Sequence, residues 1–247
     1  MKMKRYDLLD AIRGITLISM ILYHAIWDLV YLFGVNCSWY DSSAAYLWQQ
    51  SICWTFILLS GFCWPLGRKH LKRGIMILGA GTIITIVTVF VMPEERVVFG
   101  VLTLIGSSMI LMSVLKKILK RINPFVGEII SIGLFLIFRN INNGYLGFEL
   151  WNIVRLPDFL YCNMVTAFLG FPEAEFYSTD YFSFFPWFFL FLTGYFLYHC
   201  CEERKLLGLL ERNSLEKVKK IGKHSLEIYI LHQPILYVGL NLLFAVI

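Results

Sequence analysis

Long apolar stretches separated by short basic clusters run the length of this chain. A spanning helix needs about 20 mainly apolar residues. Seven stretches approach that length, roughly 8–33, 44–66, 74–92, 97–115, 124–138, 183–201 and 225–245; the fifth is the shortest. The pattern predicts an all-α, polytopic transmembrane helix bundle of about seven spans, a single domain over residues 1–247. Residues 139–182 are then a long extracytoplasmic loop between helices five and six, rich in Tyr, Phe and Trp. Loops of that length tend to be functional. Within it, residues 156–169 suit a re-entrant or interfacial helix.

Charge sets the orientation. Three Lys/Arg precede the first helix, and four, four and seven fall in the alternate loops that follow; only Arg96, Arg139 and Arg155 fall on the other side. Basic loops stay in the cytoplasm, so the chain is expected N-in and C-out in the cytoplasmic membrane. The 58% apolar and 16% charged composition and the mean hydropathy of +0.66 agree with a lipid-embedded chain. The net charge of +5 is spread over these loops, where anionic lipid headgroups rather than nucleic acid are the natural neighbours.

The six cysteines have no metal-ligand spacing. Cys53, Cys63, Cys200 and Cys201 lie in apolar stretches, where a thiol acts as a small hydrophobe. Cys37 and Cys162 both fall outside and are candidates for a disulfide. No metal is expected, and no Walker loop, dinucleotide fingerprint or His-Glu-x-x-His is present. That argues against an ATPase, a redox enzyme or a zinc protease.

Helix one carries the chemistry. Asp10, Arg13, His24 and Asp28 are ionisable groups inside a span. At about 100° per residue they share one stripe, and such groups normally face a cavity or a partner. A polar column lining a reaction path is one reading; a buried network that fixes helix packing is the other. Arg13 lies near the inner surface and His24 roughly 16 Å further out. The cation suits the phosphates of a cytosolic donor. The His with Asp28 one turn away suits a general base whose tautomer the carboxylate fixes.

These residues also carry a resemblance. Arg13-Gly14 with His24, inside Leu9-Asp10-Ala11-Ile12-Arg13-Gly14, resembles the first-helix signature of the type-3 membrane acyltransferases. Phe56-Ile-Leu-Leu-Ser60-Gly61-Phe62 looks like that family's Ser-Gly-Phe motif, and Ser225-Leu-Glu-Ile-Tyr229-Ile-Leu-His232-Gln-Pro234 is similar to its ending. Phe99-Gly100-Val-Leu102, Ser178-Thr-Asp180-Tyr181-Phe182 and Pro186-Trp187 look more like small bacterial relatives of heparan-alpha-glucosaminide N-acetyltransferase. Both families look like branches of one transmembrane acyltransferase superfamily. The resemblance covers nearly the whole chain, which is shorter than type-3 enzymes and lacks several of their helices.

The resemblance implies transfer of an acetyl group from cytosolic acetyl-CoA to an extracytoplasmic acceptor, a glycan or other small molecule. His24 would be the base, Asp28 its partner, and Arg13 a donor or architecture residue. Donor contacts fall to His232, Tyr229, Ser60, Arg68 and Arg73, with His70 nearby. His232 has a structural alternative, satisfaction by the backbone freed at Pro234. It lies roughly 13 Å from His24 in depth, so the two are not expected to touch. Asp180, Arg155, Asp158, Trp151 and Tyr181 are candidates for acceptor binding, with Arg139, Tyr145 and Tyr177 beside them; interfacial anchoring explains the aromatic members equally well. His199 and His224 suit helix ends. A chain this short could complete its site as a homodimer. The rival functions are a small proton-coupled transporter using the same polar column and a non-catalytic membrane subunit.

Overall fold

The computed structural model describes residues 6–211 and 215–246. The chain forms two compact units, one from its two ends (up to Leu59, and from Lys205 on) and one from Ser60–Arg204. It passes from the first to the second within a single helix. Lys2, Lys4, Arg5 and Arg212, counted above among the inner charges, lie outside the described residues.

The first unit contains α1 (Asp7–Trp27), which continues as a π-helical turn over Asp28–Leu32, most of α2 (Ser43–Cys63), α8 (Glu216–Lys223) and α9 (Ser225–Val246). Small residues decide how α8 meets α1. A Cβ on Gly14 would stand 2.2 Å from the Val218 carbonyl oxygen, and one on Gly222 would stand 1.9 Å from that of Asp10. The two backbones therefore touch, as only glycine permits. On the α1 side Trp48 of α2 donates its indole N–H to Ser19 Oγ at 2.7 Å, and Leu17, Met20 and Ile52 form a buried cluster.

A buried lysine ties this contact together. Lys219 Nζ donates to Asp7 Oδ2 at 2.7 Å and to Glu216 Oε1 at 2.6 Å. The Asp7 bond, then the Glu216 bond, holds the ammonium pKa above its ordinary value. A folded value above the unfolded one means stability that is full below about pH 10.4 and is lost as pH rises through the folded value. We therefore expect Lys219→Met to lower the melting temperature at neutral pH, with the gap to wild type closing at alkaline pH. Detergent melts across that range test it; a gap independent of pH would assign the loss to packing instead.

The second unit contains α3 (His70–Val91), α4 (Val101–Leu119), α5 (Pro124–Phe138), the hairpin β1 (Tyr145–Phe148) and β2 (Trp151–Arg155), α6 (Met164–Leu169) and α7 (Phe184–Glu203). Glycines again set the spacing: Gly74, Gly81 and Gly106 bring α3 against α4, with a Cβ on Gly106 falling 2.5 Å from the Leu78 nitrogen. Asn123 caps α5 through the Phe125 and Val126 amides, with Pro124 at its first position. Gly127 lets α5 approach Phe196 of α7, and Thr193 Oγ1 donates to Ser131 Oγ at 3.0 Å across the same pair.

Among the described residues, six helices are long and apolar enough to cross a membrane: Asp7–Leu32, His70–Val91, Val101–Leu119, Pro124–Asn143, Phe184–Glu203 and Ser225–Ala245. Their outer faces are apolar and uncovered, with Ile83, Ile86, Val87 and Phe90 on α3 and Ile235, Val238 and Leu242 on α9 all at least half exposed. Faces of that extent belong in lipid rather than water. The protein is a multi-pass membrane protein. Seven spans were expected; α2 has the length but not the apolarity, because Gln49, Gln50 and Ser51 interrupt it.

The segment after α5 opens with a short antiparallel hairpin in an otherwise helical chain. Tyr145 pairs with Arg155, and a bulge at Leu146/Gly147 brings Gly147, at φ 148°, against the Trp151 carbonyl. Residues 156–169 supply only a 3-10 turn and six-residue α6. That helix rises about 9 Å, the scale of an interfacial or re-entrant turn rather than of a span.

Candidate active site

A group of polar side chains from α1 and α9 comes together inside the first unit. His24 Nδ1 lies 2.9 Å from the Met20 carbonyl oxygen. A carbonyl only accepts, so Nδ1 carries a proton, and in the neutral imidazole Nε2 is the acceptor. His232 repeats the arrangement, with Nδ1 donating to the Tyr229 carbonyl at 2.6 Å and Nε2 buried with no partner. The two imidazoles meet edge to face, ring centroids 4.9 Å apart. Asp28 is fully buried; its Oδ1 accepts from Gln233 Nε2 at 2.7 Å, and its Oδ2 has no partner. Gln233 Oε1 is likewise unpaired. The group is rich in acceptors and short of donors, which suits a ligand that brings a hydroxyl, an amine or a proton.

Two expectations are corrected here. His24 and His232 touch, although counting along each helix separated them. That count set both helices flush with one membrane face. In the structure α8 crosses α1 at Asp10 and Gly14, and Ile228 and Tyr229 near the start of α9 already pack against Leu17 and Met20, so α9 starts alongside the middle of α1. The second correction concerns the His–Asp pair. Among the described residues no hydrogen bond joins Asp28 to His24; the Met20 carbonyl fixes the tautomer, and Asp28 opens the π-helical turn and binds Gln233.

The other residues fall as follows. Arg13 Nη1 lies 3.3 Å from Asp10 Oδ1. Tyr229 stacks on Phe56 at 5.9 Å, which brings two of the family-like motifs together, and Ser60 sits half-buried further along α2. Arg68 and Arg73 are exposed at the start of α3.

Of the expected acceptor contacts, Trp151 is 80% exposed on β2. Arg155 and Asp158 pair with each other at 3.2 Å on the surface. Tyr181 donates its hydroxyl to the Ala167 carbonyl; burial raises its phenol pKa well above the ordinary value. Asp180 lies against Gly100, the N-cap of α4, where a carboxylate favours the helix dipole. Arg139 pairs with Glu149 at 3.1 Å and lies over the Trp187 ring, bracing the hairpin. Cys37 and Cys162 are free thiols. His199 pairs with Glu202 near the end of α7.

Sequence reasoning missed Gln233 and an aromatic hollow of about 220 Å³ lined by Tyr23, Trp27, Tyr31, Tyr40, Asp41 and Gln49. Tyr31 donates to Asp41 Oδ1 at 2.9 Å. Tyr23, one residue from His24, belongs to its wall. The signal was present as Tyr23, Trp27 and Tyr31, four residues apart on one face of helix one.

A family model, heparan-alpha-glucosaminide N-acetyltransferase, catalytic, matches residues 5–234. The chain belongs to this family. Neither the curated proteins nor the solved structures contain a significant match. Membership agrees with the resemblance carried by Phe99-Gly100-Val-Leu102, Ser178-Thr-Asp180-Tyr181-Phe182 and Pro186-Trp187, and makes the protein a membrane acetyltransferase. The heparan-alpha-glucosaminide N-acetyltransferase match runs through both compact units.

Proposed function

We propose that this acetyltransferase moves an acetyl group from acetyl-CoA to an extracytoplasmic hydroxyl or amine, with His24 as general base. The observation that supports this most is His24 itself: its Nδ1 proton is held by the Met20 carbonyl, so in the neutral ring Nε2 is the atom that accepts a proton. Nε2 removes the acceptor's proton as the acceptor oxygen or nitrogen attacks the thioester carbonyl. The carbon–sulfur bond then breaks, and the proton reaches the departing CoA thiolate. Asp28 and the neighbouring His232 supply acceptor atoms that steady the imidazolium.

Both units together make one acyltransferase domain in this reading, since the family match spans both. α2 crosses as a seventh span, its polar Gln49 and Gln50 turned from lipid; an odd count puts the termini on opposite faces, and the basic loops then give N-in and C-out in the cytoplasmic membrane. The aromatic hollow beside His24 receives the acceptor. Tyr and Trp faces with Asp41 and Gln49 suit a sugar ring, which presents C–H groups to aromatic faces and hydroxyls to carboxylate and amide.

The test is calorimetric titration of acetyl-CoA into the purified protein in detergent, wild type against Arg13→Ala. Saturable binding is expected, weakened about tenfold by the substitution. A folded wild type that binds no acetyl-CoA at millimolar donor would rule the reading out.

A further inference from the structure

In the second unit, the turn between α2 and α3 has the opposite character to the His24 group: it holds a buried donor without an acceptor, beside a buried unpartnered imidazole nitrogen. Trp64 is 4% exposed and its indole N–H has no partner. An indole nitrogen can only donate, so a sealed-in, unanswered N–H is costly unless a ligand meets it. The Trp64 ring stacks on His70, centroids 4.1 Å apart at 21°, and His70 Nδ1 is also buried without a partner. His70 begins α3. Lys69 before it is left-handed at φ 55° and gives the helix no side-chain cap, so the first-turn amides are open.

Two cations complete the group. A Cβ on Gly67 would stand 3.0 Å from Arg73 Nη1 and 3.3 Å from His70 Cε1, so the guanidinium folds back over the turn beside the imidazole. Lys116, in the last turn of α4, is within electrostatic reach of His70 because the glycine contacts hold α3 and α4 together. Neither Arg73 nor Lys116 has an ion-pair partner among the described residues. A buried donor, an uncapped helix start and two uncompensated cations at one turn are the chemistry of a bound oxyanion.

We propose that this turn is a phosphate-binding site, with Trp64 Nε1, His70, Arg73, Lys116 and the first amides of α3 as its donors. A phosphate can reach it from two sources. One is the 3′-phosphate or diphosphate of acetyl-CoA, an assignment that rests on the acyltransferase reading. The other is an anionic phospholipid headgroup.

Two variants separate the arms. Trp64→Phe deletes the orphaned N–H and keeps the ring on His70; Arg73→Gln deletes the charge. Each is titrated with acetyl-CoA and with adenosine 3′,5′-bisphosphate, and melted in phosphatidylcholine nanodiscs with and without phosphatidylglycerol. The expected result is an affinity for both nucleotides about tenfold lower in each variant. If the variants bind nucleotide as wild type does but lose a phosphatidylglycerol-dependent rise in melting temperature, the site stands and its phosphate is the lipid's. Wild-type behaviour of both variants in both arms overturns the site while leaving the acyltransferase reading intact. A wild type blind to acetyl-CoA but stabilised by phosphatidylglycerol through Arg73 and Trp64 does the reverse.

Discussion

Replacing His24 with alanine is expected to lower acetyl transfer by about a thousandfold while the protein stays folded and still binds acetyl-CoA. Removing a general base costs on the order of 100- to 10,000-fold. His24 is half-buried, and its one hydrogen bond goes to the backbone of its own helix, so alanine leaves no buried polar group from another element unanswered. The measurement is transfer from radiolabelled acetyl-CoA to an amino sugar probe, with a melting curve on the same sample. Unchanged transfer in the variant would remove His24 from the mechanism. Loss of transfer together with loss of fold would instead make His24 a packing residue, the structural alternative that its place in a span always leaves open.

Gly222→Val should have the larger effect on stability. The added Cβ would stand 1.9 Å from the Asp10 carbonyl oxygen, and this is backbone, which cannot turn aside as a side chain can. α8 must then move off α1, at a cost of about 2–3 kcal/mol or more. Lys219 would lose its reach to Asp7. The displacement should also carry α9 with it, because only His224 separates the two helices. His232 and Gln233 would leave His24 and Asp28, so activity should fall with stability even though Gly222 touches no reacting group. Melting temperature and transfer rate, read together on Gly222→Ala and Gly222→Val, test this. A valine variant with wild-type melting would mean that α8 is not held against α1 in this way.

Membrane character was legible without coordinates. Lipid demands about 20 apolar residues per span and helical backbone bonding within each, so six crossing helices could be read with boundaries close to those observed. His24 and Asp28 stood out for the same reason, as ionisable groups in a span. The hairpin at Tyr145–Arg155 was not legible. Its strands are four and five residues long, and β2 is exposed throughout, so no apolar alternation marks it.

What the tertiary structure alone decided is which groups meet. Periodicity along α1 aligned Arg13, His24 and Asp28, because the angle between residues of one helix is local geometry. The depth of His232 relative to His24 is not local. It depends on where α8 crosses α1 before α9 begins, and that crossing is set by two glycines on different helices. The unpaired atoms of Asp28, His232 and Gln233, and the unpartnered nitrogens of Trp64 and His70, are likewise properties of neighbours distant in sequence. A sequence names the residues able to carry a charge or a proton; packing determines which of them are left without a partner, and therefore ready for a ligand.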